Sequence, residues 1–248
     1  MKAPRRGTYL IVGLIAFAAL LYGSLYTLFP GRLKDIEFYT LLDIAFIPLS
    51  VLLVSLVIDR LLAAREREAL LHKMNMVIGA FFSEVGRELI DRLLELDSDI
   101  AHDREHMLFT TAWAPGDYDR HRTAVHGDHH PMSLDLGDVE GLRTLLEEKR
   151  SFLLSLLQNG NLLEHQTFTD ALWAVSHLGE ELAARGDLTG ISEPDRAHLE
   201  LDMGRAYGRL LGEYLLYVRH LKADYPYLFA FAVRTNPFDE NAEVEVSA

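Results

Sequence analysis

The 248-residue chain is 49% hydrophobic, contains no cysteine and has a formal net charge of -13. Without cysteine it can form no disulfide, no thiolate nucleophile and no cysteine-based zinc or iron–sulfur site. The acidic balance argues against a nucleic-acid partner, because binding to phosphates requires clustered lysine and arginine.

Two apolar runs near the N-terminus predict a transmembrane hairpin. Residues 9–29 carry no charged side chain, and residues 36–58 have the same reach with Asp43 inside. A run of about 20 residues matches the ~30 Å hydrocarbon core of a bilayer. The first run is longer than the apolar core of a cleaved signal peptide and is followed by no convincing small-x-small cleavage site, so we expect it to remain as an anchor.

Basic residues flank the predicted hairpin on its outer ends. They are Lys2, Arg5 and Arg6 before the first run and Arg60, Arg65 and Arg67 after the second. The connector between the runs nearly balances its charges. By the positive-inside rule we expect an integral protein of the inner (plasma) membrane with both termini in the cytoplasm.

Asp43 and Pro48 are the unusual residues of the second run. An ionisable group inside a membrane helix costs a few kcal/mol and usually faces a partner or a wet cavity. In a tight hairpin Asp43 is level with residues 22–26, whose hydroxyl groups could donate to it. Pro48 has no N–H to offer the carbonyl of Ile44, so a bend is expected there. Two interpretations stay open: Asp43 fixes the hairpin, or it serves an ion or proton path.

The rest of the chain predicts an all-α cytoplasmic part. The second membrane helix continues as a juxtamembrane rod over residues 59–97, and a helical bundle follows over residues 98–236. Start and stop signals place its helices at 100–113, from 138 to the QNGN sequence, at 167–186, at 192–223 and over YPYLFAFAV. Residues 114–138 are expected to form one long loop, and residues 237–248 an acidic, frayed tail.

Small residues recur at helical spacing in two places and predict helix packing. The two sets are Gly79, Ser83 and Gly86 on the rod and Gly204, Gly208 and Gly212 on the last long helix. Each glycine lowers helix propensity by about 1 kcal/mol relative to alanine, so glycines in line need a structural reason. We expect the close approach of another backbone, with the two faces crossing each other. The alternative is a solvated stripe.

Histidine and acidic residues form only weak metal-binding patterns. The candidates are His102, Glu105, His106, His126, His129 and His130. The first three fit the H-x-x-E-H spacing of zinc peptidases, but no third ligand is identifiable. The others lie in the long loop, where a solvated state is expected. No phosphate-binding glycine loop, nucleophile elbow or dinucleotide fingerprint is present, so no cofactor is predicted.

Three stretches carry a resemblance to a known family: MNMVIGAFFSEVGREL, NLLEHQTFTDALWAV and YPYLFAFAVRTNPF. On them the chain resembles a family of prokaryotic two-span integral membrane proteins with a helical cytoplasmic domain and no assigned activity. The resemblance implies the architecture and no chemistry.

These observations favour a membrane-anchored helical interaction, scaffold or sensory module without enzymatic activity. Its expected partners are the bilayer and either further copies of itself or a membrane or cytoplasmic protein. The alternative is a subunit of an oligomeric channel or transporter that uses Asp43. A membrane-bound metallohydrolase is a more distant alternative.

Overall fold

The computed structural model describes residues 5–127, 130–160, 162 and 165–245. Over these residues the protein is all-α, and its one β-type pairing is an isolated bridge between Asp97 and Met132. The α-helices are α1 (Arg5–Leu28), α2 (Leu33–Phe81), α3 (Arg87–Leu94), α4 (Ile100–Met107), α5 (Pro115–Val125), α6 (Leu136–Leu157), α7 (Gln166–Ala184), α8 (Glu193–Asp224) and α9 (Pro226–Arg234). The chain divides into two units, Met1–Arg67 and Glu68–Ala248.

The first unit contains α1 and the beginning of α2, joined by a 3₁₀ turn at Pro30–Arg32. Proline suits the first position of such a turn because its missing N–H would have no partner there. Large apolar side chains of this unit are exposed from Val12 to Leu62. In the part of the chain that the structure describes, one helix, Pro30–Leu94, is long and apolar enough to cross a membrane, and the apolar stretch Val12–Leu28 is shorter. α2 continues through Pro48 without interruption.

A π turn interrupts the regular helix between α2 and α3. It spans Phe82–Gly86 and follows directly on Phe81. A π turn holds one residue more than an α turn, and the consecutive side chains Phe81 and Phe82 are both buried here. A Cβ on Gly86 would lie 2.6 Å from a ring carbon of Phe82 and 2.7 Å from one of Phe81. Glycine is therefore required at the end of this turn.

The second unit is built around α8, whose buried positions occur on every side of the helix. This burial follows from its neighbours, because α3, α5, α7 and α9 all pack against it. α6 packs on α7 and α3, and α4 packs on α5. Local signals start two of these helices: the side chain of Asp135 accepts the N–H of Gly137 at the start of α6, and Pro194 lies in the first turn of α8.

The expected long loop at residues 114–138 contains a helix, α5, and the loop prediction needs this correction. α5 begins at Pro115, and Asp117 accepts the N–H of Ala114 at 2.7 Å. Only Tyr118 and Val125 are buried on this helix. Because two buried side chains give no visible apolar period, the sequence pattern did not indicate a helix.

The C-terminal segment also differs from the expected tail over its first residues. Phe238 is buried in the core, and Asn236 is buried while donating to the carbonyl of Met107 at 2.7 Å. Arg104 donates to the carbonyl of Phe238 at 3.0 Å. The exposed part therefore begins at about residue 240 and is described as far as residue 245.

Candidate functional site

Asp43 lies in a groove of about 610 Å³ within the first unit. Tyr22 and Arg32 line the same groove. Ser24 instead donates to the carbonyl of Leu21 on its own helix at 2.7 Å. The groove therefore combines the carboxylates of Asp35 and Asp43, the guanidinium of Arg32 and the phenols of Tyr22 and Tyr39 between two apolar helices.

The glycine stripe of α8 faces the segment that follows α5. A Cβ on Gly204 would lie 2.5 Å from the carbonyl oxygen of His130, and a Cβ on Gly208 would overlap the carbonyl oxygen of Gly127. Gly212 faces the ring of His126, whose Nδ1 would lie 2.7 Å from the added carbon. The stripe therefore allows the close approach of a loop backbone to a helix.

The small residues of the rod meet Tyr217 of α8 and not its glycine stripe, so the expected crossing of the two faces is corrected. A Cβ on Gly79 would lie 3.5 Å from the ring of Tyr217, and the hydroxyl of Tyr217 hydrogen-bonds Ser83. Gly86 accommodates Phe81 and Phe82 of its own turn. The physical reason is that the stripe of α8 is already covered by the loop, which leaves the rod to pack against an aromatic side chain.

His130 forms a buried ion pair with Asp103 on α4. Its Nδ1 lies 3.0 Å from a carboxylate oxygen of Asp103, and its Nε2 lies 2.8 Å from the carbonyl oxygen of Val125. Both ring nitrogens thus face acceptors, which suits the doubly protonated imidazolium. Burial lowers the pKa of His130. The hydrogen bond to Asp103 and the charge of Asp103 together raise it by more, so the net shift is upward.

Asp97 extends this cluster and carries a perturbed carboxyl. Burial is the largest of the causes that raise the pKa of Asp97 to about 6. The charge and the hydrogen bond of Asp103 also raise this pKa, whereas the N–H that Asp99 donates lowers it. The nearby charge of Asp103 opposes ionisation of the Asp97 carboxyl. Asp97, Asp103, His102 and His130 line one cavity of about 270 Å³.

The metal candidates suggested by the sequence do not converge on one point in the described chain. The side chain of Glu105 is exposed, and Nδ1 of His106 lies 3.1 Å from Nδ1 of His121, whose ring stacks on Trp113. His126 lies against α8 and His130 pairs with Asp103. The prediction for His129 lies outside the described residues.

A different group converges on the seam between α7 and α8. It consists of His177 on α7 and of His198 and Asp202 on α8. Each Nε2 atom of the two histidines lies 3.3 Å from Oδ2 of Asp202. Both imidazoles are about half exposed, at 48% and 49%, whereas the Asp202 side chain is 2% exposed. This is the group of three that could hold a metal ion among the described residues.

Neighbouring charges orient this group. Arg205 donates to Oδ1 of Asp202 at 2.5 Å, which leaves Oδ2 directed at the histidines. Glu181, one turn after His177, has an oxygen 3.7 Å from Nε2 of His198 and accepts from Arg185 at 2.6 Å. A signal was present in the sequence: a histidine is followed four residues later by a carboxylate on each of two consecutive helices, which places each pair on one helical face.

The comparisons with known proteins divide the chain at the same place as the structure. A family model described as "MJ1433, N-terminal helical domain" matches residues 2–62, and one described as "Uncharacterized protein MJ1433, C-terminal helical domain" matches residues 70–234. The "Uncharacterized protein MJ1433" of Methanocaldococcus jannaschii is 37% identical over 238 residues, which cover 96% of each chain. No solved structure matches. The chain therefore belongs to the MJ1433 family, with its N-terminal and C-terminal helical domains.

Proposed function

We propose that the protein is a membrane-anchored helical module whose first unit inserts into the bilayer and whose second unit serves interaction or sensing without enzymatic activity. The observation that carries this proposal is the exposure of large apolar side chains between Val12 and Leu62, while the second unit buries its own in a core. Water-soluble monomers rarely expose contiguous apolar patches of more than a few hundred Å². A bilayer would cover this surface.

The dimensions of α1 and α2 support two spans. α1 has 24 residues, which correspond to about 36 Å at 1.5 Å per residue, more than the ~30 Å hydrocarbon core. The 3₁₀ turn at Pro30–Arg32 is short enough to return the chain directly. With Arg5 and Arg6 at the start of α1 and further arginines after the apolar part of α2, the proposal places the turn outside the cytoplasm and both termini inside.

Cysteine labelling tests this topology cleanly because the native chain has no cysteine. Single cysteines replace Gly31 in the turn, Ser133 in the second unit and Asn241 near the C-terminus. With a membrane-impermeant maleimide on intact cells, we expect labelling at position 31 only, and labelling at all three after lysis. The protein should remain in the pellet after alkaline carbonate extraction. Extraction into the supernatant, or labelling of positions 133 and 241 from outside, would contradict the proposal.

A second candidate function is a channel or transporter subunit assembled from several hairpins. The observation in its favour is the groove that contains Asp43, Arg32 and Tyr22 between apolar helices. Ionisable groups in membrane helices commonly mark ion or proton paths. Ion flux through reconstituted vesicles distinguishes this candidate from the first.

A further inference from the structure

We propose that His177, His198 and Asp202 form a binding site for a divalent transition-metal ion, with Zn²⁺ as the reference ion. This site lies on the seam between α7 and α8 and is independent of the membrane proposal. Two imidazole nitrogens and one carboxylate oxygen form a ligand set common to zinc, iron and other first-row transition metals.

The distances between the ligand atoms agree with this assignment. Zinc–nitrogen bonds of about 2.0–2.1 Å at tetrahedral angles separate neighbouring ligand atoms by about 3.4 Å. The two Nε2 atoms each lie 3.3 Å from Oδ2 of Asp202, and all three atoms lie within 4.8 Å of one another. Small rotations of the half-exposed imidazoles would bring all three atoms within reach of one ion, with no change in the helix backbones.

Asp202 supplies a second, independent observation. Its side chain is almost fully buried, yet Oδ2 accepts no hydrogen bond, although two imidazole nitrogens lie close to it. Were the cluster only an ion pair, at least one N–H would be expected to point at this oxygen, because a buried carboxylate oxygen without a partner costs free energy. Lone pairs directed at a shared cation satisfy the oxygen and both nitrogens together.

The surrounding residues match the outer shell of a metal site. Arg205 holds the other oxygen of Asp202, and such hydrogen bonds from neighbouring residues keep a carboxylate ligand in its orientation. Three protein ligands leave at least one coordination position open in a tetrahedral site. That position faces solvent, since both histidines are about half exposed. The open position suits a water molecule. The carboxylate of Glu181 would fit there instead once its hydrogen bond with Arg185 is broken.

Zinc binding by the full-length protein in mild detergent tests the proposal. After removal of metal with a chelator, titration with Zn²⁺ is followed by calorimetry and by elemental analysis. We expect one ion per chain and a weakening of at least about tenfold in His198→Gln, because a direct ligand is lost. His72→Gln is the matched control, since His72 is exposed on α2 and far from α7 in sequence. Circular dichroism verifies that each variant folds.

Trp173 offers a second readout at the same place. It lies one turn before His177 on α7, is 59% exposed, and is one of two tryptophans in the chain. Binding of paramagnetic Ni²⁺ should quench the fluorescence of Trp173. In the Trp173→Phe variant only Trp113 fluoresces, and we expect the quenching to be lost. Absence of stoichiometric zinc binding in the wild type, or equal affinity in wild type and His198→Gln, would overturn the proposal.

Discussion

Two titratable side chains with shifted pKa values, Asp97 and His130, make the stability of the second unit depend on pH. His130, Asp103 and Asp97 form a cluster in which one imidazole lies between a carboxylate and a backbone carbonyl. The folded state raises the pKa values of both His130 and Asp97. Tyr207 packs edge-on against the imidazole and contributes no charge, because burial raises the pKa of its hydroxyl. The folded protein therefore binds protons more tightly than the unfolded chain at these sites.

A raised pKa in the folded state stabilises the fold below the unfolded pKa, and the contribution is lost as the pH rises through the folded value. For Asp97 the loss occurs between the ordinary aspartate pKa of 3.8 and about 6. For His130 it begins near the ordinary histidine pKa of 6.5 and continues above it. Both groups thus make the second unit less stable as the pH increases from acidic to mildly alkaline.

Asp97→Asn should remove the Asp97 part of this dependence. The amide oxygen can still accept the N–H of Asp99, and the amide nitrogen can donate to Asp103, so the hydrogen bonds of the protonated acid are retained without its ionisation. Above pH 6 we expect a stabilisation of about 1 kcal/mol, because Asp97 is only partly buried and solvent weakens the charge interaction. Thermal unfolding by circular dichroism at about pH 5 and about pH 8 measures it. An equal pH dependence in variant and wild type would contradict this account.

The sequence identified several of these residues but not their partners. Asp43 and Tyr22 line one groove, and the sequence predicts them to be level because a tight hairpin fixes the register of its two helices. The sequence predicts His130 as a weak metal-binding candidate in a loop. Its ion pair with Asp103 depends on a reversal of the chain, which the spacing of residues along the sequence does not indicate. The H-x-x-E-H spacing predicts metal ligands on α4, whereas His177, His198 and Asp202 lie on α7 and α8. The repeated four-residue spacing on two helices is the signal that would have found them.

Among the helices, α8 depends most directly on glycine. Gly208→Ala should destabilise the second unit by about 1–3 kcal/mol, because the added methyl group overlaps the carbonyl oxygen of Gly127 and backbone cannot move aside as a side chain can. The measurement is the shift in thermal unfolding followed by circular dichroism.

Gly116→Ala on α5 is the matched control, since nothing lies within 4 Å of its added Cβ. It should be neutral or stabilise by up to about 1 kcal/mol through helix propensity. If both variants behave alike, the close approach of the loop to α8 is not a determinant of stability.

Helices with clear start signals and an apolar period were predicted well, and others were not. α6, α7, α8 and α9 begin and end within a few residues of the positions expected from their caps, prolines and apolar patterns. α5 was missed because only two of its side chains are buried, and α4 ends at Met107, earlier than expected. The sequence does not predict the π turn, because one extra residue leaves the local spacing of apolar residues typical of an α-helix.

At the scale of the whole molecule, two units with opposite surface character share one chain. The family models separate at the same region as the structural units. The sequence predicts boundaries at residue 58, where the second apolar run ends, and at residue 97, whereas the structural units divide between Arg67 and Glu68. It did not locate the central position of α8, which depends on contacts between helices distant in the chain.

Asp43→Asn tests the function of the assembled molecule. A single hairpin cannot enclose a pore, so a channel would need several copies with Asp43 facing a shared lumen. If Asp43 only fixes the hairpin, the amide keeps a hydrogen-bonding acceptor and removes a charge that is costly in lipid. We expect unchanged assembly by size-exclusion chromatography in detergent, and no proton or cation flux in vesicles with either protein. Robust wild-type flux that vanishes in a correctly assembled variant would favour the channel instead.

The π turn at Phe82–Gly86 has a consequence for the ancestry of this chain. A single inserted residue in a regular helix produces such a turn, and the residues beyond it rotate by about 100° around the axis, because one α-helical residue accounts for that angle. We expect the extra residue of the turn to bring the neighbouring rings of Phe81 and Phe82 into one core, with Gly86 leaving room for them. Relatives that descend from the form before the insertion should align with a one-residue gap at this point and carry a larger side chain in place of Gly86.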